Sequence, residues 1–330
     1  MAAIGFSPDH AGDHCDLRCG RGQLAKHLNI MASKTIEAKG SGTRALRRVA
    51  HRLVRRASRT LASPALSDTA VHGARKDLKT CRTALRLLRP ALGEPVYCRE
   101  NAVLRDAAHA LNAARDAKML TQTLQSLRQS NRALRRDAGV GELLRMLRAE
   151  QAAVRRRLRE HPLQLARTHD ALEQLCDRMN QWSVGRHGWS VVGPALKRIY
   201  RSGRRSLPAT PPFPADRPLH EWRKQVKYLR YALEILTPMR TPKLAALARQ
   251  AKQLTDCLGE AHDLAVLTQK ARGFARRNSS PLRPLFTIIC RRRKQLTLNA
   301  LTSGEQVYRA RPRDWERPLS RYWQEWRRAA

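Results

Sequence analysis

The chain has 330 residues, 65 Lys and Arg against 27 Asp and Glu, a formal charge of +38 and a pI near 11.5. Such an excess repels itself on compaction, so it points to a polyanionic partner (nucleic acid, anionic lipid or a phosphate polymer) and argues against a neutral metabolite. With 42% hydrophobic residues the chain can build a core, which excludes wholesale disorder.

The cations are 52 Arg and 13 Lys. The planar guanidinium can hold two phosphate oxygens at once, although GC-rich coding produces the same bias. Cysteines at 15, 19, 81, 98, 176, 257 and 290 are odd in number and form no C-x-x-C pair. That argues against a disulfide framework and a zinc ribbon. No run reaches the roughly 18 apolar residues of a membrane span, and Asp9, Asp13 and Asp16 stand where a signal peptide would be apolar. The expectation is a soluble, cytoplasmic protein with no resident cofactor or metal.

Residues 1–42 lack sustained periodicity and read as a disordered tail, with Met31 an alternative start. His10, His14, Cys15 and Cys19 are ligand types, yet their spacing fits no standard zinc pattern. From Thr43 the apolar residues recur at helical spacing and no stretch alternates with period two, so the fold class is all-α. The pattern predicts helices over 43–62, 68–89, 95–112, 114–136, 140–160, 163–182, 190–206, 218–237, 241–258, 261–277, 282–302 and 314–328. A Pro-rich connector spans 207–218.

An internal repeat organises these elements. Val71 to Leu88 lies over Leu219 to Leu236 without a gap at an offset of 148, and Ala114-Arg115-Asp116 aligns with Ala261-His262-Asp263 at an offset of 147. The expected architecture is a duplicated antiparallel helical bundle, with one half at 43–182 and the other at 183–330.

At 100° per residue, His72, Arg75, Lys76, Lys79, Arg82 and Arg86 form one stripe opposite Leu78, Cys81, Ala84, Leu85 and Leu88. The second copy places His220, Arg223, Lys224, Lys227 and Arg230 opposite Trp222, Val226, Leu229, Leu233 and Leu236. Helix 43–62 sets Arg44, Arg47, Arg48, Arg52, Arg55 and Arg59 against Leu46, Val49, Leu53 and Ala57. A solvated face normally mixes signs in i,i+4 pairs, whereas the first stripe has no carboxylate. A long anion laid along it would relieve the repulsion. The histidines have a competing role as satisfied residues at the bundle seam; if they face phosphate, their pKa should rise on binding and affinity should fall from about pH 6 to 8.

These residues, with Leu85 to Pro90, Ala114-Arg115-Asp116, Ile199-Tyr200-Arg201-Ser-Gly203-Arg204-Arg205 and the segment His220 to Ala232, resemble the CHAD domain, the conserved histidine α-helical domain, over about residues 43–328. The resemblance implies two helical bundles related by pseudo-twofold symmetry around a basic groove that binds inorganic polyphosphate, often with association to polyphosphate granules. It carries the ligand positions onto His72, Arg75, Lys76, Lys79, Arg82, His220, Arg223, Lys224, Lys227 and Arg230, and onto Tyr200, Arg204 and His262. Arg115 departs from the second repeat, where His262 stands.

The chain has no E-x-E-x-K motif of the triphosphate tunnel domain to which this family is often fused, and no nucleophile in an activating context. The expected function is non-catalytic. His169-Asp170 and His262-Asp263 raise the alternative of an HD-type metal-dependent phosphohydrolase, which would need further His and Asp ligands converging on the metal. A second alternative is a nucleic-acid binder, since charge alone ensures non-specific RNA or DNA binding at low salt. Against it, aromatic stacking platforms are scarce and Trp315, Leu319, Tyr322, Trp323 and Trp326 form a packing stripe. Membrane binding through basic, amphipathic helix 43–62 is disfavoured because its apolar face is Ala-rich and lacks Trp and Phe.

Overall fold

A computed structural model describes residues 36, 42–63, 66–160, 162–185, 188–209, 215–239, 241–278 and 281–329. The N-terminal tail with its His and Cys residues, and the middle of the Pro-rich connector, lie outside the described residues. The elements are α1 (Gly42–Leu61), α2 (Asp68–Leu92), α3 (Glu94–Ala110), α4 (Asn112–Ser130), α5 (Arg132–Arg136), α6 (Ala138–Glu160), α7 (Pro162–Asn180), α8 (Trp189–Arg205), α9 (Asp216–Leu236), a 3-10 turn (Thr237–Met239), α10 (Pro242–Arg277), α11 (Arg283–Val307) and α12 (Pro312–Arg328). No strand occurs among the described residues, and the all-α reading holds.

Two boundaries depart from the sequence reading. The helix expected over 114–136 is broken at Asn131, whose backbone is extended (φ −127°, ψ 115°). There the Asn131 amide donates to the Leu127 carbonyl and the Ser130 hydroxyl to Ser126, so short polar side chains compete with the helical ladder. Conversely, the helices expected over 241–258 and 261–277 are one helix, α10, running through Gly259. Thr241 caps its start by accepting from the Leu244 N–H at 3.3 Å, with Pro242 in the first turn. Leu254, Leu258, Ala261 and Leu264 are buried on both sides of the glycine, and that packing outweighs its poor helix propensity.

The packing repeats as the sequence does. α1 packs on α2 and α7, while α8 packs on α9 and α12; α4 packs on α6, and α10 on α11. The repeated helices α2 and α9 pack on each other, as do α4 and α10. One core joins Leu46, Leu53, Leu78, Leu85 and Leu104 to Leu172, Leu196, Trp222, Leu233 and Trp323; another joins Leu124, Leu143 and Leu147 to Leu264, Phe274, Leu285 and Ile289. Each core therefore draws on helices from both sides of residue 183.

The apolar faces read from the sequence are the buried ones: Leu78, Cys81, Ala84, Leu85 and Leu88 in α2, Trp222 and Val226 in α9, and Leu46, Val49, Leu53 and Ala57 in α1. Trp315, Leu319 and Trp323 are likewise buried against α8. Burying α1 leaves its apolar face unavailable to a membrane. Buried carboxylates tie the helices together. Asp77 of α2 receives a two-pronged pair from Arg56 of α1. Glu100 of α3, inaccessible to solvent, is held by Arg178 of α7 at 2.8 Å and by Arg99 at 2.7 Å.

Candidate functional site: a basic groove between the repeated helices

Where α2 and α9 cross, their cationic stripes face a common cleft instead of separate surfaces. The hollow is about 450 Å³, and its walls include His72, Arg75, Lys76 and Lys79 from α2 with Arg223, Lys227, Arg230 and Tyr231 from α9. α4 adds Arg115 and α10 adds Thr255, Asp256, Gly259, Glu260 and Asp263. A core on one side of each helix and a cleft on the other is what the 3.6-residue period dictates; the crossing turns two stripes into one site.

Electrostatics inside the groove differ from those of a solvated face. Among the described residues, neither the Lys79 nor the Lys227 amine, each half-buried, has a salt-bridge or hydrogen-bond partner. Burial, then the neighbouring guanidiniums of Arg75, Arg115 and Arg223, lowers the Lys79 pKa to about 7. Burial, then Arg223, Lys79 and Arg115, lowers that of Lys227 to about 6. Desolvation and like charge both disfavour the ammonium, and Asp116 and Asp263 oppose this only in part.

The histidines are affected in the same direction. Burial and Arg223 push His262 down to about 3, and its ring lies 4.9 Å from that of His220. His220 is lowered by burial and then Arg223, and the exposed His72 by desolvation and then Arg115. In the free protein the groove therefore favours the neutral form of all three imidazoles.

Of the ligand positions expected from the sequence, His72, Arg75, Lys76, Lys79, Arg223, Lys227 and Arg230 come together at the groove. Their freedom differs. Arg75 donates to the Ala108 carbonyl at 2.6 Å and to the Asn112 side chain. Arg230 pairs with Glu234 at 2.7 Å and Asp256 at 3.1 Å. Arg82 donates to Asn101 at 3.0 Å. The exposed Lys224 pairs with Glu221 at 2.7 Å. His220 and His262 line a small recess behind Arg223.

Tyr200 and Arg204 are not brought to this groove. The Tyr200 hydroxyl is buried and donates to the Val307 and Ala310 carbonyls, its ring stacking on Trp315 at 4.2 Å, while Arg204 donates to the Tyr308 carbonyl. Both fasten α8 to the α11–α12 turn.

The sequence reading missed the acidic residues of the groove. Arg115 pairs with Asp116 at 2.9 Å and with Asp263 across from α10 at 3.5 Å, so it bridges α4 to α10, whereas His262 at the matching repeat position lies against His220. The shared Asp of the two Ala-x-Asp triplets was the available signal. Also unforeseen is the partner of Arg86, a member of the first stripe, whose guanidinium lies 3.9 Å above the Tyr228 ring and joins α2 to α9.

A larger hollow of about 780 Å³ lies where the ends of α1, α2, α6 and α7 meet. Its walls are chiefly apolar, among them Leu61, Leu66, Val71, Leu158 and Leu165, and the Arg155 on its rim is paired with Asp68. It lacks the convergent cations of the groove. Among the described residues no three His, Cys, Asp or Glu side chains converge as a metal site, and His169 is hydrogen-bonded to the Ser58 hydroxyl at 2.7 Å.

The fold and groove define a duplicated all-α bundle with a cationic cleft between its repeated helices. A family model for the CHAD domain matches residues 44–272, and the chain belongs to that family. Among solved structures, the CHAD domain from the plant Ricinus communis is similar in fold, with a TM-score of 0.62 at 16% identity, covering 84% of this chain and 94% of that one. Comparison with curated proteins gives no match.

Proposed function

We propose that the groove binds inorganic polyphosphate without catalysing its turnover, and that this binding recruits the protein to polyphosphate granules. The observation that carries the reading is the pair of half-buried amines, Lys79 and Lys227, facing one cleft with no salt-bridge partner among the described residues. A site that holds its own cations partly out of solvent and without counter-ions gains most from a ligand that supplies closely spaced negative charge. Polyphosphate does so and needs no stacking surface. Nucleic acid would gain from stacking aromatics, yet Trp222, Trp315 and Trp323 are buried in the core.

The test is equilibrium binding of the full chain to long-chain polyphosphate at about 0.2 M salt, where contacts to many phosphates are strongly weakened. Single-stranded RNA and duplex DNA compete at equal phosphate concentration. Preference for polyphosphate, lost in the Arg223→Ala/Lys227→Ala variant, is the expected result. Equal competition by RNA or DNA would make the protein a general polyanion binder. Polyphosphate shortening on incubation with protein and a divalent metal would overturn the non-catalytic reading.

A further inference from the structure

The two halves present one matching Arg and one matching Lys to the groove, Arg75 with Arg223 and Lys79 with Lys227, but the backbone around them differs. Arg75 and Arg223 occupy matching positions in α2 and α9. Arg75 is held twice, by the Ala108 carbonyl and by the Asn112 side-chain oxygen. Both partners exist because the chain breaks between α3 and α4. α3 ends at Ala110, and the last carbonyls of a helix, Ala108 among them, have no partner within it. Asn112 opens α4 beside that end, and its amide nitrogen lies 2.9 Å from His109 Nδ1, which turns its oxygen toward Arg75.

The second half has neither partner. At the offset of 147, Thr255 stands for Ala108 and Gly259 for Asn112. α10 runs unbroken through both, so the Thr255 carbonyl belongs to the helical ladder and Gly259 has no side chain to offer. A Cβ placed at Gly259 would meet nothing within 4 Å, so the space that an Asn would take is open to the groove. Accordingly, among the described residues, Arg223, only 8% exposed, has an Nε with no hydrogen-bond partner and no carboxylate within salt-bridge distance.

We infer that the groove is one-sided: Arg223, with Lys227 one turn further along α9, forms the primary seat for a phosphate group, while Arg75 is a fixed wall that positions the first half. The inference rests on the polyphosphate reading of the same groove. Its chemistry is that of a guanidinium with a desolvated Nε and no hydrogen bond to any described residue, against one anchored through both Nη1 hydrogens, with only its Nε and Nη2 hydrogens left for a ligand.

Two reciprocal substitutions test it by calorimetric titration with long-chain polyphosphate. Gly259→Asn installs in the second half the acceptor that ties Arg75 in the first, and binding should weaken at least about tenfold. Asn112→Ala removes that tie, and binding should stay within about twofold of wild type or tighten. Gly259→Ala, which adds a methyl to the groove wall but no polar atom that could tie Arg223, should weaken binding less than Gly259→Asn and shows that a change at 259 is compatible with the fold; thermal unfolding checks all three variants. Equal weakening by Asn112→Ala and Gly259→Asn, or no weakening by Gly259→Asn, would overturn the one-sided seat while leaving polyphosphate binding intact. Absence of binding by the wild-type chain would overturn the groove reading itself, and the seat with it.

Discussion

Binding of a polyanion to this groove should be coupled to proton uptake, and the coupling can be worked out from the two half-buried lysines. The free pKa values are about 7 for Lys79 and about 6 for Lys227, against 10.5 for an ordinary lysine. Facing them are the cations Arg75, Arg115 and Arg223 and the carboxylates Asp116 and Asp263. A bound phosphate chain neutralises the repulsion and favours both ammonium forms, so above the free pKa values each amine takes up a proton on binding. Affinity then falls as pH rises, at up to one decade per pH unit per lysine. If the ligand restores ordinary pKa values, raising pH from 6 to 8 costs about tenfold through Lys79 and about fiftyfold through Lys227, together about 500-fold as an upper limit. His262, pushed to about 3, stays neutral unless the ligand raises it by more than three units.

Stability of the free protein moves the other way. Between the depressed folded pKa values and 10.5 the unfolded chain binds more protons, so stability rises with pH from about 6 toward 10. The assay is titration with long-chain polyphosphate, whose interior phosphates remain ionised throughout, at fixed ionic strength from pH 6 to 8.5, beside thermal unfolding of the free protein. A Lys79→Met/Lys227→Met variant should bind more weakly at pH 6 and lose most of the slope. An affinity that is flat or rises with pH in the wild type, or a slope unchanged in the variant, would refute the reasoning.

Two glycine substitutions should have opposite signs in thermal unfolding. Gly259→Ala places a methyl in open space inside α10 and should stabilise by about 0.5–1 kcal/mol through helix propensity, whereas Gly304→Ala drives a methyl into the fully buried Trp222 ring and should cost about 1–3 kcal/mol. Glu100→Gln should destabilise by about 2–4 kcal/mol, because it leaves Arg178 and Arg99 without their shared carboxylate. Burial raises the Glu100 pKa, but the hydrogen bonds from Arg178 and Arg99 outweigh it and hold it below 4.5. Its contribution is therefore present above about pH 4.5 and lost as pH falls further, and the variant should lose that part of the acid sensitivity in urea titrations at pH 3–6. A double-mutant cycle on Arg86→Ala and Tyr228→Leu should give a coupling of about 0.5–1 kcal/mol across the α2–α9 crossing; a coupling near zero would mean that the stacking adds nothing to the packing.

The sequence by itself determined the helical class, the duplication and which face of each repeated helix is buried. Those properties follow from a 3.6-residue period, and Leu78, Leu85, Trp222 and Leu233 are buried where that period places them. It also located the groove cations, because a stripe without carboxylates is a local property of one helix.

Tertiary structure decided what those cations do. Arg82 and Arg230 have matching positions and charge, but partners distant in the chain, Asn101 and Asp256, commit their donors. Tyr200 and Arg204 have the right residue types but lie against the α11–α12 turn. Arg75 and Arg223 are equivalent in any alignment of the repeats, and only the break between α3 and α4, set against the unbroken α10, separates them. Periodicity is written in neighbours a few residues apart, whereas the partner of a buried cation is fixed by which backbone carbonyls and side chains the folded chain leaves free beside it.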